Sequence, residues 1–305
     1  MTGVLTGFAI IGTIIAAGYL LSRLGVIGPD AGPTLSRLSF FILNPSLLLT
    51  VLATSDVHTL LSSVFVVSAI DALFAFALYI VIARLVLRRA GADAVLGGTA
   101  ASYVNAGNIG LPIAAYVLGD PAYSAPVLLF QLVVFAPIVL TSLDVLASGH
   151  TSVWRVIWRP LVNPLLIASG IGVTIALTGW EAPAPLLQPF EILGGAAVPA
   201  VLLAFGMSLH GQRPFQAHGG LADIVLASVV KLLVMPVLVF LLARYAFGME
   251  GDVLFAVTVL AALPSAQNVF TYAQRYERSV PVVRDTVLVT TVLSVPVIVV
   301  IALFR

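Results

Sequence analysis

Asn105-Ala-Gly-Asn108-Ile-Gly110-Leu-Pro112 interrupts one long apolar stretch of the chain, and Leu263-Pro264-Ser-Ala-Gln267-Asn268 interrupts another. Each run puts helix-breaking and amide residues where a membrane-spanning helix should be most regular. In hydrocarbon an unpaired backbone amide or carbonyl costs several kcal/mol, so a broken span survives only inside protein or beside a watery cavity. Two breaks at corresponding places in two halves of a chain point to the binding site of a secondary transporter.

The surrounding composition sets the class. Hydrophobic residues make up 60% of 305 positions and charged residues 9%, with a mean hydropathy of +1.13. A soluble domain is about a quarter charged, so these values describe a polytopic helical membrane protein. The net charge of +1 carries no signal for nucleic acid. The absence of cysteine excludes disulfides, thiol catalysis and thiolate metal sites together. The first cation, Arg23, follows the first apolar run instead of preceding it, so that run reads as a retained span and not as a cleaved signal peptide.

A span needs about 20 mostly apolar residues to cross about 30 Å of hydrocarbon. Apolar runs between punctuating residues give ten, over 3–22, 34–54, 60–83, 94–118, 122–146, 156–178, 187–209, 222–243, 253–275 and 281–303. The fold class expected is therefore all-α, with ten transmembrane helices. Loops after odd-numbered spans carry Arg23, Arg37, Arg84, Arg88, Arg89, Arg155, Arg159, Arg213, Arg275, Arg278 and Arg284; the other side has Arg244 and Arg305. This positive-inside bias places both termini on the extracytoplasmic face.

Ten spans divide into five and five, so a second half that repeats the first enters the membrane inverted. Landmarks recur at offsets of 154 (Pro45, Pro199), 152 (Pro112, Pro264) and 159 (Pro137, Pro296). The expected organisation is a first five-helix repeat over 1–146, a cytoplasmic linker over 147–155 and a second, inverted repeat over 156–305.

The breaks in spans 4 and 9 fall near the middle of each, so the two antiparallel spans can cross there. Half-helix N-termini offer unpaired amides and a partial positive charge that suits an anion. Gly107 and Gly110 let backbone approach a ligand closely. Pro112 and Pro264 remove intrahelical hydrogen bonds. Asn105, Asn108, Gln267 and Asn268 donate and accept without titrating. Helix packing through small and amide residues is the alternative reading of each run.

Other polar residues lie within spans. Asp71 in span 3 and Lys231 in span 8 occupy equivalent helices, and buried ionisable groups in membranes are expensive. They read either as a direct ion pair or as a protonatable Asp71 that couples proton movement to transport. Asp144 and Asp223 lie near cytosolic ends, where solvent or headgroups suffice for them. Gln131, isolated in span 5, needs partners. Ser46, beside Pro45, and Thr50 one turn on read as pocket lining or as part of a kinked packing helix. Asn163-Pro164 reads as a helix start.

The run from Asn105 to Pro112, the segment Ala262 to Tyr276 and the run Val201-Leu-Leu-Ala-Phe-Gly-Met-Ser-Leu209 resemble the auxin efflux carrier family. That family includes plant exporters and bacterial carriers of malate or malonate type. The resemblance implies two inverted five-helix repeats with a fold related to bile-acid/sodium symporters. Helices 1, 2, 6 and 7 would form a scaffold, and helices 3–5 and 8–10 a mobile domain in which 4 and 9 cross. It also implies a homodimer joined through the scaffold, a small carboxylate bound at the crossover, and a span 5 that borders it.

No His-Glu-x-x-His, Gly-x-Ser-x-Gly or Walker pattern occurs. The sequence thus predicts no enzyme, no cofactor and no resident metal. It predicts a cell-membrane efflux carrier of a small organic anion, working by elevator-type alternating access and driven by protons or membrane potential. A sodium-coupled symporter and a non-transporting ligand sensor are the alternatives.

Overall fold

A computed structural model describes residues 2–54, 57–148, 162–180, 183–211 and 220–304. The expected linker from Gly149 onward, and the cations Arg155, Arg159, Arg213 and Arg305, lie outside these residues. The described chain is helical, and its one extended contact is an isolated antiparallel bridge between Val104 and Ser265. The helices are α1 (Thr2–Arg23), α2 (Ala31–Ala53), α3 (Val57–Leu85), α4 (Gly91–Ser102), α5 (Ala106–Leu118) and α6 (Pro121–Ala147). They continue as α7 (Pro164–Thr178), α8 (Ala184–Leu209, with a turn at Ala196), α9 (Leu221–Ala246), α10 (Gly251–Ala261), α11 (Gln267–Tyr276) and α12 (Val280–Leu303).

Among the described residues six helices are long and apolar enough to cross a membrane: α2, α3 from Ser63, α6, α8, α9 and α12. Four shorter apolar helices accompany them: Ala9–Arg23 within α1, α5, α7 and α10. Burial runs opposite to that of a water-soluble core. Asn44, Ser46, Asp71, Asn105, Gln131 and Lys231 are buried, while Phe41, Ile192 and Val292 are more than half exposed. Apolar side chains facing lipid tails incur no penalty, so packing is left to small residues and internal hydrogen bonds. The protein is a multi-pass membrane protein.

Four of the prolines within helices are accommodated in the same way, whereas Pro189 and Pro296 lie within regular α-helix. Wide π turns occupy Ser39–Leu43, Ala106–Gly110, Gln131–Phe135 and Val230–Val234. Each ends two residues before a proline, namely Pro45, Pro112, Pro137 and Pro236. A proline within a helix lacks its N–H, and its ring clashes with the carbonyl four residues back. Widening the preceding turn moves that carbonyl aside without ending the helix. Asn163 starts α7 as the sequence indicates, its Oδ1 accepting from Leu165 N–H at 2.9 Å.

The packing separates into two compact units. One holds α1, α2, α7, α8, α5 from Gly107, and α6 as far as Leu129. Its helices meet through glycine. A Cβ on Gly18 would strike the Leu203 backbone, one on Gly206 the backbone of Ile15 and Tyr19, and one on Gly172 the Leu49 carbonyl. Gly206→Leu is therefore expected to force α1 from α8, losing about 1–3 kcal/mol of stability or more. Gly12→Leu, whose Cβ meets nothing within 4 Å, should leave the melting temperature of detergent-solubilised protein unchanged.

The other unit holds α3 from Ser63, α4, α6 from Phe130, and α9 to α12. Its core joins Leu96, Tyr103, Phe130, Phe135, Val139, Val269, Ala273 and Val287. The two turns that enter its broken spans match closely. Arg89 N–H donates to Ala83 O, and Met249 N–H to Ala243 O, each at 2.8 Å. Ala90 (φ −139°, ψ 168°) and Glu250 (φ −140°, ψ 169°) precede Gly91 (φ 57°) and Gly251 (φ 55°), which take up the left-handed conformation that glycine tolerates. The matched residue numbers differ by 160, as do those of Asp71 and Lys231. The proline landmarks gave 152 to 159. The bridge sets Val104 of span 4, and not Pro112, opposite Ser265 beside Pro264.

The sequence reading kept span 4 whole within one domain. Packing divides it between Ala106 and Gly107. The reason is tertiary: Ala114–Leu118 packs on α1, Leu111–Ile113 on α1 and the second part of α8, and Pro121–Ser124 on α2.

Candidate functional site

The two broken spans meet end to end within the second unit. Helix α4 stops at Ser102, Tyr103 turns extended, and Asn105 N–H donates to Pro264 O at 2.8 Å. In return Ala266 N–H donates to Tyr103 O at 2.9 Å. These paired bonds form the Val104–Ser265 bridge, and they satisfy groups that the breaks would strand in a medium with no water to solvate them.

Side chains from three other helices supply the remaining partners. Gln131 Nε2 donates to Val104 O at 2.9 Å, and Thr290 Oγ1 accepts from Ser265 N–H at 3.1 Å. Ser265 Oγ donates to Ala100 O at 2.5 Å, near the end of α4. Lys231 Nζ donates to Ala261 O, the last carbonyl of α10, at 2.9 Å, and to Met235 Sδ at 3.1 Å. A cation at the C-terminal end of a half-helix also complements its dipole. The crossover is thus a set of broken backbone ends, most of them tied by a named donor or acceptor, with the start of α11 left without a side-chain cap.

Of the residues singled out in the sequence, Asn105, Gln131, Pro264, Gln267 and Asn268 gather at this crossover, with Lys231 on the helix end leading into it. Asn105 is 3% exposed, Gln267 is half-buried and Asn268 is exposed. Helix α11 begins at Gln267 with Ala266 as its N-cap and no side-chain cap. The observed contact of Gln131 is to backbone. Gly107, Asn108, Gly110 and Pro112 continue the chain into the other unit, to which Ser46 and Thr50 also belong. Ser46 Oγ donates to Ile42 O at 2.7 Å, and Thr50 Oγ1 to Ser46 O and Leu47 O at 3.1 Å. Both hydroxyls are therefore engaged by their own helix.

Asp71 and Lys231 are 2% and 0% exposed. Their charges interact, yet among the described residues they form no ion pair within 4 Å. Lys231 instead caps a carbonyl, and Asp71 Oδ1 is buried without a hydrogen-bond partner. The direct pair is corrected to a through-space relation. Asp223 also departs from expectation. It is buried, receiving Arg89 Nη2 at 2.9 Å and the Tyr79 hydroxyl at 3.3 Å, so protein and not solvent stabilises it. Asp144 accepts from the Tyr276 hydroxyl at 2.5 Å.

The sequence reading missed Tyr103, Ser265, Tyr272 and Thr290. Tyr103 is buried, with its ring stacked on Phe135. A recoverable signal existed for Thr290, which stands 159 residues after Gln131 and does the corresponding work on the other break.

Residues 4–302 match the family described as Membrane transport protein. The chain belongs to that family, the auxin efflux carrier family. A protein of Rhizobium meliloti (strain 1021) named "Putative malonate transporter" is 27% identical over 92% of this chain and 89% of its own length. An uncharacterized transporter of Methanothermobacter thermautotrophicus is 30% identical over 92% and 91%. Auxin efflux carrier component 1 of Arabidopsis thaliana is 26% identical over 46% of this chain and 23% of its own length. This membership makes the protein a transporter.

Proposed function

We propose that this transporter is a secondary active efflux carrier of a small organic anion, of the malonate class, bound at the crossover. The observation that carries the reading is the tied pair of broken spans, with Asn105, Gln267 and Asn268 beside the uncapped start of α11. Amides and half-helix amide ends give an anion charge-assisted donors without placing a competing charge in the membrane. Gly107, Asn108, Gly110 and Pro112 extend the site along span 4 in this proposal. Gln131 and Pro264 hold its backbone, and Ser46 and Thr50 are kept as substrate-contacting candidates within the other unit.

Ten spans in two inverted five-helix repeats account for the six long and four short apolar helices and for the matched turns at a spacing of 160. Two compact units suit an elevator-type cycle in which one carries the substrate while the other, the scaffold, joins two copies into a homodimer. Asp71, buried with an unpaired oxygen, is the proposed proton carrier, and proton motive force or membrane potential the driving force. A sodium-coupled cycle is the second reading. Proteoliposomes loaded with labelled malonate test the proposal. Efflux that rises with an imposed proton gradient supports it, sodium-dependent flux favours the second reading, and binding without flux would make the protein a sensor.

The arginine distribution puts both termini outside the cell membrane. Ala90→Cys, in the turn after α3, should then react with an impermeant thiol reagent only from the cytoplasmic side, and Trp180→Cys, after α7, only from the outside. Both positions are exposed in the structure, and the chain has no native cysteine to interfere. Labelling of both from one side overturns the ten-span arrangement.

A further inference from the structure

Helix α11 forms the cytoplasmic half of span 9 in the topology proposed above, yet half of its ten residues are Gln267, Asn268, Thr271, Gln274 and Arg275. The half of span 4 that follows the first break, α5, has only Asn108 and Tyr116 with polar side chains and is mostly buried. The polar residues of α11 share a face. Asn268, Thr271 and Arg275 follow one another at spacings of three and four, which stacks them along one side of a helix. All three are exposed, as is Gln274. On the other side Val269 and Ala273 are buried in the core of the second unit, and Phe270, Tyr272 and Tyr276 pack against it.

A helix face turned to lipid is apolar, as Val237 on α9 and Val292 on α12 are, each more than half exposed. Exposed amides and hydroxyls at that depth would be stranded without partners, so they border water. Arg275, in the last turn of α11, could reach the interface by extending its side chain. Asn268 lies about 10 Å deeper at 1.5 Å per residue, and its short amide cannot. The Arg275 guanidinium is seated over the Tyr276 ring, 5.5 Å from its centre, and the Tyr276 hydroxyl donates to Asp144 Oδ1 at 2.5 Å. Asp93, at the start of α4, accepts from the Ser279 hydroxyl at 2.7 Å. In the turn after α11, exposed Glu277 and Arg278 balance one another in charge, which leaves Arg275 as the surplus cation. We propose that the polar face of α11 lines the aqueous path between cytoplasm and crossover, and that Arg275 at its mouth draws small carboxylates into it. This rests on the placement of substrate at the crossover and of α11 on the cytoplasmic side. Exposed charges act over a screening length of about 10 Å at 0.1 M salt, so an anion drawn in by Arg275 comes within reach of Asn268. Arg275 steers and does not hold the bound anion.

The probes are two small methanethiosulfonates, one anionic and one cationic, applied to the full chain in inside-out membrane vesicles. Thr271→Cys, in a sequence with no cysteine of its own, should react, and faster with the anionic reagent once each rate is normalised to that of free thiol. Val292→Cys, at a lipid-facing position 67% exposed, should react with neither. Adding Arg275→Gln should cut the anionic preference at Thr271→Cys about 3- to 10-fold, the effect of a unit charge about 6 Å away in water. An arginine that only complements the dipole of α11 would change the melting temperature and leave the preference as it was. That outcome overturns the inference, as does an unreactive Thr271→Cys in protein that melts like wild type. Reaction only in right-side-out vesicles overturns it too, and Ala90→Cys then shows whether the topology fails with it. Should Thr271→Cys fail to fold, the exposed Gln274→Cys takes its place with the same outcomes. Calorimetric titration of the wild-type chain with malonate is the separate arm: no binding sinks the proposed substrate, while the labelling still decides the path.

Discussion

Asn268→Ala is expected to weaken anion binding about 10- to 150-fold while leaving the fold intact. A hydrogen bond to a charged group contributes about 1.5–3 kcal/mol, and Asn268 is exposed at the first turn of α11, so little packing is lost with it. Asn105→Ala should lose affinity too, but with some stability as well, since that side chain is 3% exposed. Its backbone N–H also closes the bridge to Pro264, which the substitution keeps. Calorimetric titration with malonate, paired with melting curves, separates the two effects. Unchanged affinity in both variants returns these amides to helix packing.

Lys231→Met should be the most destabilising single change outside the glycine contacts, at about 3–5 kcal/mol, the usual cost of leaving a buried charge without its counterpart. Two losses combine in it. The Ala261 carbonyl loses its donor in a water-poor interior, and Asp71 loses the cation whose charge it senses. Asp71→Asn in the Lys231→Met background should relieve the second loss and not the first, so stability recovers only in part. Full recovery would mean a simple ion pair, contrary to the observed geometry. Asp71→Asn alone should fold and transport while losing the dependence of flux on pH, because asparagine cannot titrate. Flux that keeps the wild-type pH dependence removes Asp71 from the coupling.

The sequence carried the breaks themselves, since glycine, proline and clustered amides in a hydrophobic run have few other readings. It also carried the helical, membrane-spanning class, because composition alone excludes a soluble core. What it could not supply was the set of partners. Gln131 and Lys231 stood out as isolated polar residues, yet nothing local says that one reaches Val104 and the other Ala261, on other helices. Thr290 was passed over because threonine in a span is commonly satisfied by its own helix; its hydroxyl does donate to Thr286 O, and its oxygen additionally serves Ser265. The division of span 4 at Gly107 follows from how Ala114–Leu118 packs on α1, a tertiary fact without local trace.

The join between the broken spans has an evolutionary side. Its two central bonds run from backbone to backbone, Asn105 N–H to Pro264 O and Ala266 N–H to Tyr103 O. Bonds of that kind are indifferent to which side chains the bridged residues carry. Mutations at Val104, or at the exposed Asn268, can therefore accumulate without unfastening the crossing on which the site is built. The chemistry presented to a solute is free to drift over a framework that stays closed, and a lineage of carriers can change its cargo in single steps, each of them still folded.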